Sequence, residues 1–457
     1  MKTTSNTALK KHLHVSLLCC VLLTIVLLTT ACNEYVEAPR PGDITSEHQP
    51  PIYPTPEYPP ENVPIPELLV PQHNTLCVQS EGLYATIMPD GTLWLWDERE
   101  SGPSNRSVPV QIGTDMDWVS VSVGFSTVLT LKNDGSLWSW GWEYWEYVEQ
   151  EMEHWRYLER EHGGYGEPFD FPPLDQIFVN PIQVGTSTEW ASVSASSGHV
   201  VAIKTDGTLW AWGANWFGQL GNGEVDERGG EHLILEPIQI GTDTDWARVS
   251  ANHLGTMALR TDGTLWAWGQ VGSWFGDGRS GSRYIPPQTT PLQIGTDTDW
   301  VSISSDGHTV AIKADGSLWA WGNNEVGQIG NGAGGGGWAS GDAVLTPVQI
   351  GTGTDWAVAS AGRINTFAIK SDGSLWAWGS NPRGWLGVDS LDETILTPMQ
   401  VGTDTDWINV ATVLERAAFR ADGSLWSWDW EQDENGQPAN GVRLVMMIKP
   451  VGEDLAL

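Results

Sequence analysis

An all-β, seven-bladed β-propeller is the fold class this sequence predicts, and three observations predict it. The signature Asp-Gly-(Thr/Ser)-Leu-Trp occurs seven times, starting at Asp90, Asp134, Asp206, Asp262, Asp315, Asp372 and Asp422. A second signature, Gln-(Ile/Val)-Gly-Thr, occurs six times, starting at Gln111, Gln183, Gln239, Gln293, Gln349 and Gln400. Together they set a period of roughly 50 residues, which means a propeller or a solenoid. Gly (52) and Trp (28) are both heavily used in the 457 residues, as many short strands and tight turns require.

The N-terminus reads as an address. Lys10 and Lys11 precede an apolar run from Val15 to Leu28, followed by Thr29-Thr30-Ala31-Cys32. A basic segment, a short apolar core and a small residue before a cut site make residues 1–31 a secretory signal peptide. The core is short for a transmembrane span. Ala31-Cys32 resembles a bacterial lipobox, which implies lipidation of Cys32; Thr29 stands where that motif usually has Leu. Simple cleavage and an uncleaved anchor are the alternatives. Residues 32–71 then form a proline-rich linker, as in Pro50-Pro51 and Pro59-Pro60. Proline lacks an N–H for a ladder and fixes φ, so this stretch reads as a semi-rigid spacer or a tail without a role.

Residues 72–457 carry the repeats. In Thr309–Gly322 the Asp315-Gly316 pair sits between two apolar runs, a strong hairpin signal. The strand after the turn reads Leu318-Trp319-Ala320-Trp321, so both of its faces are apolar. Such a sheet must be covered on both sides, which stacked blades achieve. The last unit ends in Val445-Met446-Met447-Ile448, and the first begins near Leu76-Cys77-Val78. This predicts closure by one blade shared between the two ends. Counting back from the Asp-Gly turn puts Cys77 where other units have Val121, Val193 and Val249, as a small buried hydrophobe. Cys19, Cys20 and Cys32 precede the folded region, so it holds no internal disulfide.

Eight Trp fall outside this framework: Trp142, Trp145, Trp155, Trp216, Trp274, Trp338, Trp385 and Trp430. All follow a Trp-x-Trp strand within the same connection of their repeat, so one face should be aromatic. Trp142, Trp145, Trp155, Trp274 and Trp338 are the candidate binding residues, because exposed aromatics anchor partners; local packing is the competing reading. From about 142 to 162, Trp142, Trp145, Val148, Met152, Trp155 and Leu158 follow helical spacing. This predicts one helical insertion that packs its stripe on the propeller or presents it to a partner.

No catalytic pattern emerges. Gly332 to Gly337 satisfies a dinucleotide-binding pattern formally but follows a turn motif, so it reads as a loop. His154 and His162 lack metal-ligand spacing. Asp243 and Asp245 recur from unit to unit, as turn residues do. His199 and His308 occupy matching repeat positions and read as structural. Hence no enzyme activity, metal or cofactor is expected. The net charge of −34 repels nucleic acid and anionic membrane surfaces, leaving membrane contact through the lipid alone.

Trp212-Gly213-Ala214-Asn215-Trp216-Phe217-Gly218-Gln219-Leu220-Gly221-Asn222-Gly223 and its copy at Trp321–Gly332 resemble the repeats of the regulator of chromosome condensation family. Gly307-His308-Thr309 is similar to the family's Gly-His-Thr segment. The resemblance runs from about Pro71 to the C-terminus and implies a seven-bladed propeller. Nucleotide exchange and chromatin binding, known in the eukaryotic member, do not fit an exported acidic chain. A secreted bacterial inhibitory protein of the same propeller type, which binds its target through aromatic loops, looks closer. The expectation is a non-enzymatic binding protein of the bacterial cell envelope, lipid-anchored or secreted. Its partner is a protein, or alternatively a glycan stacked on exposed Trp; an enzyme with an axial-channel site is the remaining class.

Overall fold

The computed structural model describes residues 76–448, apart from 79–82, 98–108, 125–126, 141–180, 197, 227–232, 280–284, 335–341, 413–415 and 433–437. They form seven antiparallel sheets of four strands each. Blade 3 shows the unit: Trp190–Ala195, His199–Lys204, Leu209–Gly213 and Ile234–Gln239. Its second and third strands meet at the Asp206-Gly207 turn, with Val201 opposite Ala211. Gly207 has φ 80°, and an added Cβ would lie 2.1 Å from the Thr244 carbonyl oxygen, so turn conformation and close approach both demand glycine.

The first strand of each blade lies beside that of the next, from Leu76–Val78 through Trp118–Val123 to Trp407–Thr412, which returns to Leu76–Val78. These strands therefore surround the axis. Both sheet faces are apolar, as the Leu-Trp-Ala-Trp pattern predicts, and the core runs across blade boundaries. Val201, Leu209 and Ala211 of blade 3 pack with Trp246, Ala258 and Trp268 of blade 4.

A line of hydroxyls ties the first strands together. The Ala195 N–H donates to Ser122 Oγ (2.9 Å), Ala251 N–H to Ser194 Oγ (2.9 Å), Ser305 N–H to Ser250 Oγ (3.1 Å) and Ala361 N–H to Ser304 Oγ (3.0 Å). Each serine thus supplies an acceptor for an axis-facing N–H of the following blade.

Two expectations are corrected. Among the described residues no blade is shared between the chain ends: each of the seven sheets consists of consecutive strands. The Gln-Ile-Gly segment closes the blade before it, with Gln111 opposite Trp94, so the first unit owns its outer strand Val110–Ile112. Blade 7 likewise owns Pro438–Ile448. The ring closes by side-chain packing instead: Tyr84, Met88 and Trp96 of blade 1 cluster with Ala411, Ala417, Phe419 and Leu425 of blade 7.

The second correction concerns Cys77. It pairs with Ala85, whereas Val121 pairs with Thr130 one step further along the register. Cys77 therefore holds the position of Ser122 and Ser194, not that of Val121. The connection from first to second strand is one residue longer in blade 1 than in blade 2, which slips a count made back from the turn. In blade 7 the same position is Ala411, opposite Ala417.

The signal peptide, Cys32, the linker and the helical insertion lie outside the described residues, which contain no α-helix. Their short helical turns are the 3-10 segments Ser273–Phe275 and Pro382–Gly384.

The missing serine at the closing seam can be tested. Ala411→Ser restores an acceptor beside blade 1 and should raise stability by about 0.5–1.5 kcal/mol, the net worth of one hydrogen bond. Ser250→Ala orphans the Ser305 N–H and should cost about 1–3 kcal/mol. Urea unfolding of both variants checks the pair; a destabilised Ala411→Ser would show that the seam has no room for the tie.

Candidate functional site

The most repeated polar residues serve the fold. On the face of the Asp-Gly turns, Asp134 Oδ1 accepts the Ser136 N–H (2.8 Å) and hydroxyl (2.6 Å), and the Ser136 oxygen accepts Trp138 Nε1–H (2.8 Å). The same relay recurs from Asp206 through Thr208 to Trp210 and from Asp372 through Ser374 to Trp376. The hydroxyl is first among the causes that hold the carboxyls of Asp134, Asp206, Asp315, Asp372 and Asp422 below their ordinary value. This explains each residue type in the Asp-Gly-(Thr/Ser)-Leu-Trp signature.

The aspartates of the Gly-Thr-Asp-Thr-Asp-Trp turns hold cations. Lys132 Nζ lies 2.7 Å from Asp115 and 3.1 Å from Asp117, and 4.6 Å from the Trp118 ring centroid. Lys204, Arg260, Lys313, Lys370 and Arg420 repeat this lodging between carboxylates and indoles. Desolvated cation–π pairing favours the arrangement. Asp243 and Asp245 thus pair with Arg260, as structural residues of their turn.

The opposite face carries the connections between third and outer strands. Their turns reach into the next blade. The Gln219 carbonyl accepts Trp268 Nε1–H (2.9 Å) and the Thr256 hydroxyl (3.0 Å); the Gln328 carbonyl accepts Trp378 Nε1–H (2.9 Å) and the Thr366 hydroxyl (2.8 Å). Gly221 and Gly330 face those indoles closely: an added Cβ would lie 2.8 and 2.5 Å from Nε1. His199 Nε2 stands 2.9 Å from Thr256 Oγ1, and His308 Nε2 stands 2.6 Å from Thr366 Oγ1. Each threonine spends its proton on a carbonyl, so the imidazole must donate. Burial pushes both histidines down to about 3, which keeps them neutral. They are structural, as their repeat positions imply.

Trp274 belongs to this clasp. Its carbonyl accepts Trp321 Nε1–H (2.7 Å) and the Thr309 hydroxyl (3.1 Å), the duty of Gln219 and Gln328. Its ring is 5 % exposed and packs among Phe275, Val271 and Ala311. The expected surface anchor is therefore a core residue, because Ser273-Trp274-Phe275-Gly276 replaces Gly-Gln-Leu-Gly. Trp385 stands at the same place in Gly384-Trp385-Leu386-Gly387 but is 40 % exposed. Trp216 is half-buried, and the backbone at Trp430 extends the strand Leu425–Gln432. Trp142, Trp145, Trp155 and Trp338 lie outside the described residues.

Sequence reasoning missed two features of this face. One is at the axial mouth, where loops of three successive blades place His253, Asp306 and Arg363. His253 Nδ1 is 3.8 Å from Asp306 Oδ1. Burial pushes the Asp306 carboxyl up against the opposing pull of His253 and Arg363. The other is a pair of exposed aliphatic side chains, Val225 and Leu391, in the connections of blades 3 and 6. The axial trio is a different residue type in each loop, and the aliphatic is shared by blades 3 and 6 while blade 5 has Gly334 in its place; departure from the repeat was the available signal. Among the described residues, no group of three or more His, Cys, Asp or Glu is placed to hold a metal ion.

A closed ring of seven four-stranded blades, clasped through turn carbonyls and with varied connections on one face, defines a repeat-built β-propeller. The family described as "Regulator of chromosome condensation (RCC1) repeat" matches residues 206–259 and 315–369, and a second description of that repeat matches 190–219 and 301–328. Over these residues the chain carries RCC1-type repeats. It is 25% identical over 404 residues to the ultraviolet-B receptor UVR8 of Arabidopsis thaliana, spanning 82% of this chain and 81% of that one. Yeast RCC1 (Prp20), solved bound to Kap60, has the same fold, with a TM-score of 0.59 at 15% identity over 86% of this chain and 90% of that one. Prp20p of Saccharomyces cerevisiae, described with its binding to Gsp1p and histones, gives 0.57 at 16% identity over 83% and 88%.

The buried histidines make a pH prediction. Unfolded histidine titrates near about 6.5, and these two stay neutral down to about 3. Below about 6.5 the unfolded chain binds protons that the folded chain refuses. Stability should be complete above that pH and fall on acidification, by up to about 1.4 kcal/mol per pH unit for each histidine. The depressed aspartates act in a lower window, because their contribution is intact until pH falls below about 4. Melting curves between those limits should flatten in a His199→Gln, His308→Gln double variant; an unchanged slope would assign the effect elsewhere. Separately, Trp274→Ala should cost about 3–5 kcal/mol, as a core residue does, and Trp385→Ala far less; as a surface anchor Trp274 would cost as little as Trp385.

Proposed function

We propose that this chain is a non-enzymatic, protein-binding propeller of the bacterial cell envelope, held to a membrane by lipid on Cys32, and that the face of the varied connections receives the partner. One observation carries the reading. The recurring Asp, Lys, Arg and His side chains are spent on turns, clasps and ion pairs, whereas three of the five exposed large hydrophobic side chains among the described residues, Val225, Trp385 and Leu391, sit on that face; Met116 and Ile408 lie where first strands begin on the opposite side. Trp142, Trp145, Trp155 and Trp338 fall in connections that open to the same side and remain the proposed anchors. The reported Kap60, Gsp1p and histone binding of Prp20 supports a protein partner for a ring of this shape.

Photo-crosslinking of the full chain in bacterial cells tests the face. A benzophenone side chain at position 142, 155 or 338 should give protein adducts of one defined mass, and one at Thr242 on the Asp-Gly face should give none. Adducts at Thr242 alone would place the interface on the wrong side, and glycan-only adducts would favour the sugar-binding reading. The anchor is tested by Cys32→Ser, which should abolish fatty-acid labelling and leave an unprocessed precursor; equal labelling of both forms would exclude lipidation at this residue.

A further inference from the structure

The connection of blade 6, residues 381–393, displays an apolar pair on a rigid base. Asn381 is wholly buried and organises it. Its Oδ1 accepts the Leu386 N–H (2.9 Å), its Nδ2 donates to the carbonyls of Ser390 (3.1 Å) and Asp392 (2.8 Å), and its own N–H donates to the Glu393 carbonyl (2.7 Å). Leu386 and Val388 are fully buried beneath the loop. On this base Trp385 is 40 % and Leu391 65 % exposed.

The matching positions show that the display is a departure from the repeat. Gln219 and Gln328 fold back to accept the N–H groups of Phe217 (2.8 Å) and Val326 (3.1 Å) and are almost fully buried. Trp385 has no amide to make that bond. Leu391 follows the carbonyl held by Asn381 Nδ2, as Val225 follows the carbonyl held by Asn215 Nδ2. In both places carboxylates flank the aliphatic residue: Glu224 and Asp226 around Val225, and Asp389, Asp392 and Glu393 around Leu391, with all three of the latter exposed. Arg383 is the single basic residue of the blade 6 segment. Blade 3 thus repeats the acid-flanked aliphatic without the exposed Trp.

We propose that the blade 6 loop, through its exposed Trp385 and Leu391 and its exposed Asp389, Asp392 and Glu393, docks an amphipathic, Lys/Arg-bearing segment of a second protein. The apolar pair supplies burial, and the carboxylates select basic over acidic flanks by charge complementarity. The inference deepens the proposed function and rests on its reading of which face binds protein.

Full chain titrated against three fluorescent peptides tests it. The peptides share a Leu-Trp-Leu centre and differ in flanks of Lys, Gln or Glu. Binding should rank Lys above Gln above Glu. Trp385→Ala with Leu391→Ser should weaken the Lys peptide more than about tenfold, with the melting temperature nearly unchanged. Asp389→Asn, Asp392→Asn and Glu393→Gln together should bring the Lys and Gln peptides to equal affinity and remove the salt dependence. Val225→Ser should have no effect. Equal binding of all three peptides, or undiminished binding by the Trp385/Leu391 variant, would overturn the proposal. If that variant still gave the cellular adducts at positions 142, 155 and 338, this loop would fall while the binding face stood. Loss of those adducts from the wild type would remove the face itself.

Discussion

At three seams of this ring a buried tryptophan N–H finds its acceptor outside its own blade. Trp268, Trp321 and Trp378 each donate to a backbone carbonyl from the preceding connection. The rest of the architecture depends on that reach. Without the acceptor, each of these three indoles would bury an unmet donor at a cost of about 1–3 kcal/mol. With it, blades 4, 5 and 6 are each oriented on the preceding blade through a fixed point, and a threonine hydroxyl uses the same carbonyl. Glycine stands two residues after the carbonyl-bearing residue because the indole lies where a Cβ would be.

This arrangement divides labour between backbone and side chain. The clasp uses only the main chain, so the residue that provides it can change type. Gln219 and Gln328 brace their own turns, Trp274 fills the core and Trp385 faces solvent, although the geometry beneath is shared. Variation at this position alters the surface without loosening the ring. The carboxylates divide similarly: those of the Asp-Gly and Gly-Thr-Asp turns neutralise cations and hold hydroxyls, whereas Asp389, Asp392 and Glu393 carry no such repeated duty.

Much of the fold was legible because it is periodic. Asp-Gly between apolar runs located the hairpins, Leu-Trp-Ala-Trp required cover on both faces, and matching positions marked His199 and His308 as structural. What stayed hidden depends on register and three-dimensional path. Cys77 was misplaced by one step, since a hairpin one residue longer changes alignment without changing the motif. Closure was misread because the Gln-Ile-Gly segment belongs to the blade before it, which strand pairing reveals and spacing does not. At the candidate site, Trp274 and Trp385 look alike in sequence, and only packing separates core from surface. His253, Asp306 and Arg363 meet at the axis although each is alone in its own loop.

The direction of the first strand fixes a polarity for the whole disc. In every blade this strand starts on the Asp-Gly side and runs towards the side of the varied connections, next to the axis. Leu76 is the first residue of the innermost strand of blade 1. The chain therefore enters the disc at Leu76, near the hub and on the side opposite Trp385 and Leu391. A tether there would act like a stem under a flower, turning the acidic turns towards its point of attachment and the aromatic loops away from it. Rotation about the stem would leave that outward presentation unchanged, so every blade's connection could sweep past a partner approaching from above.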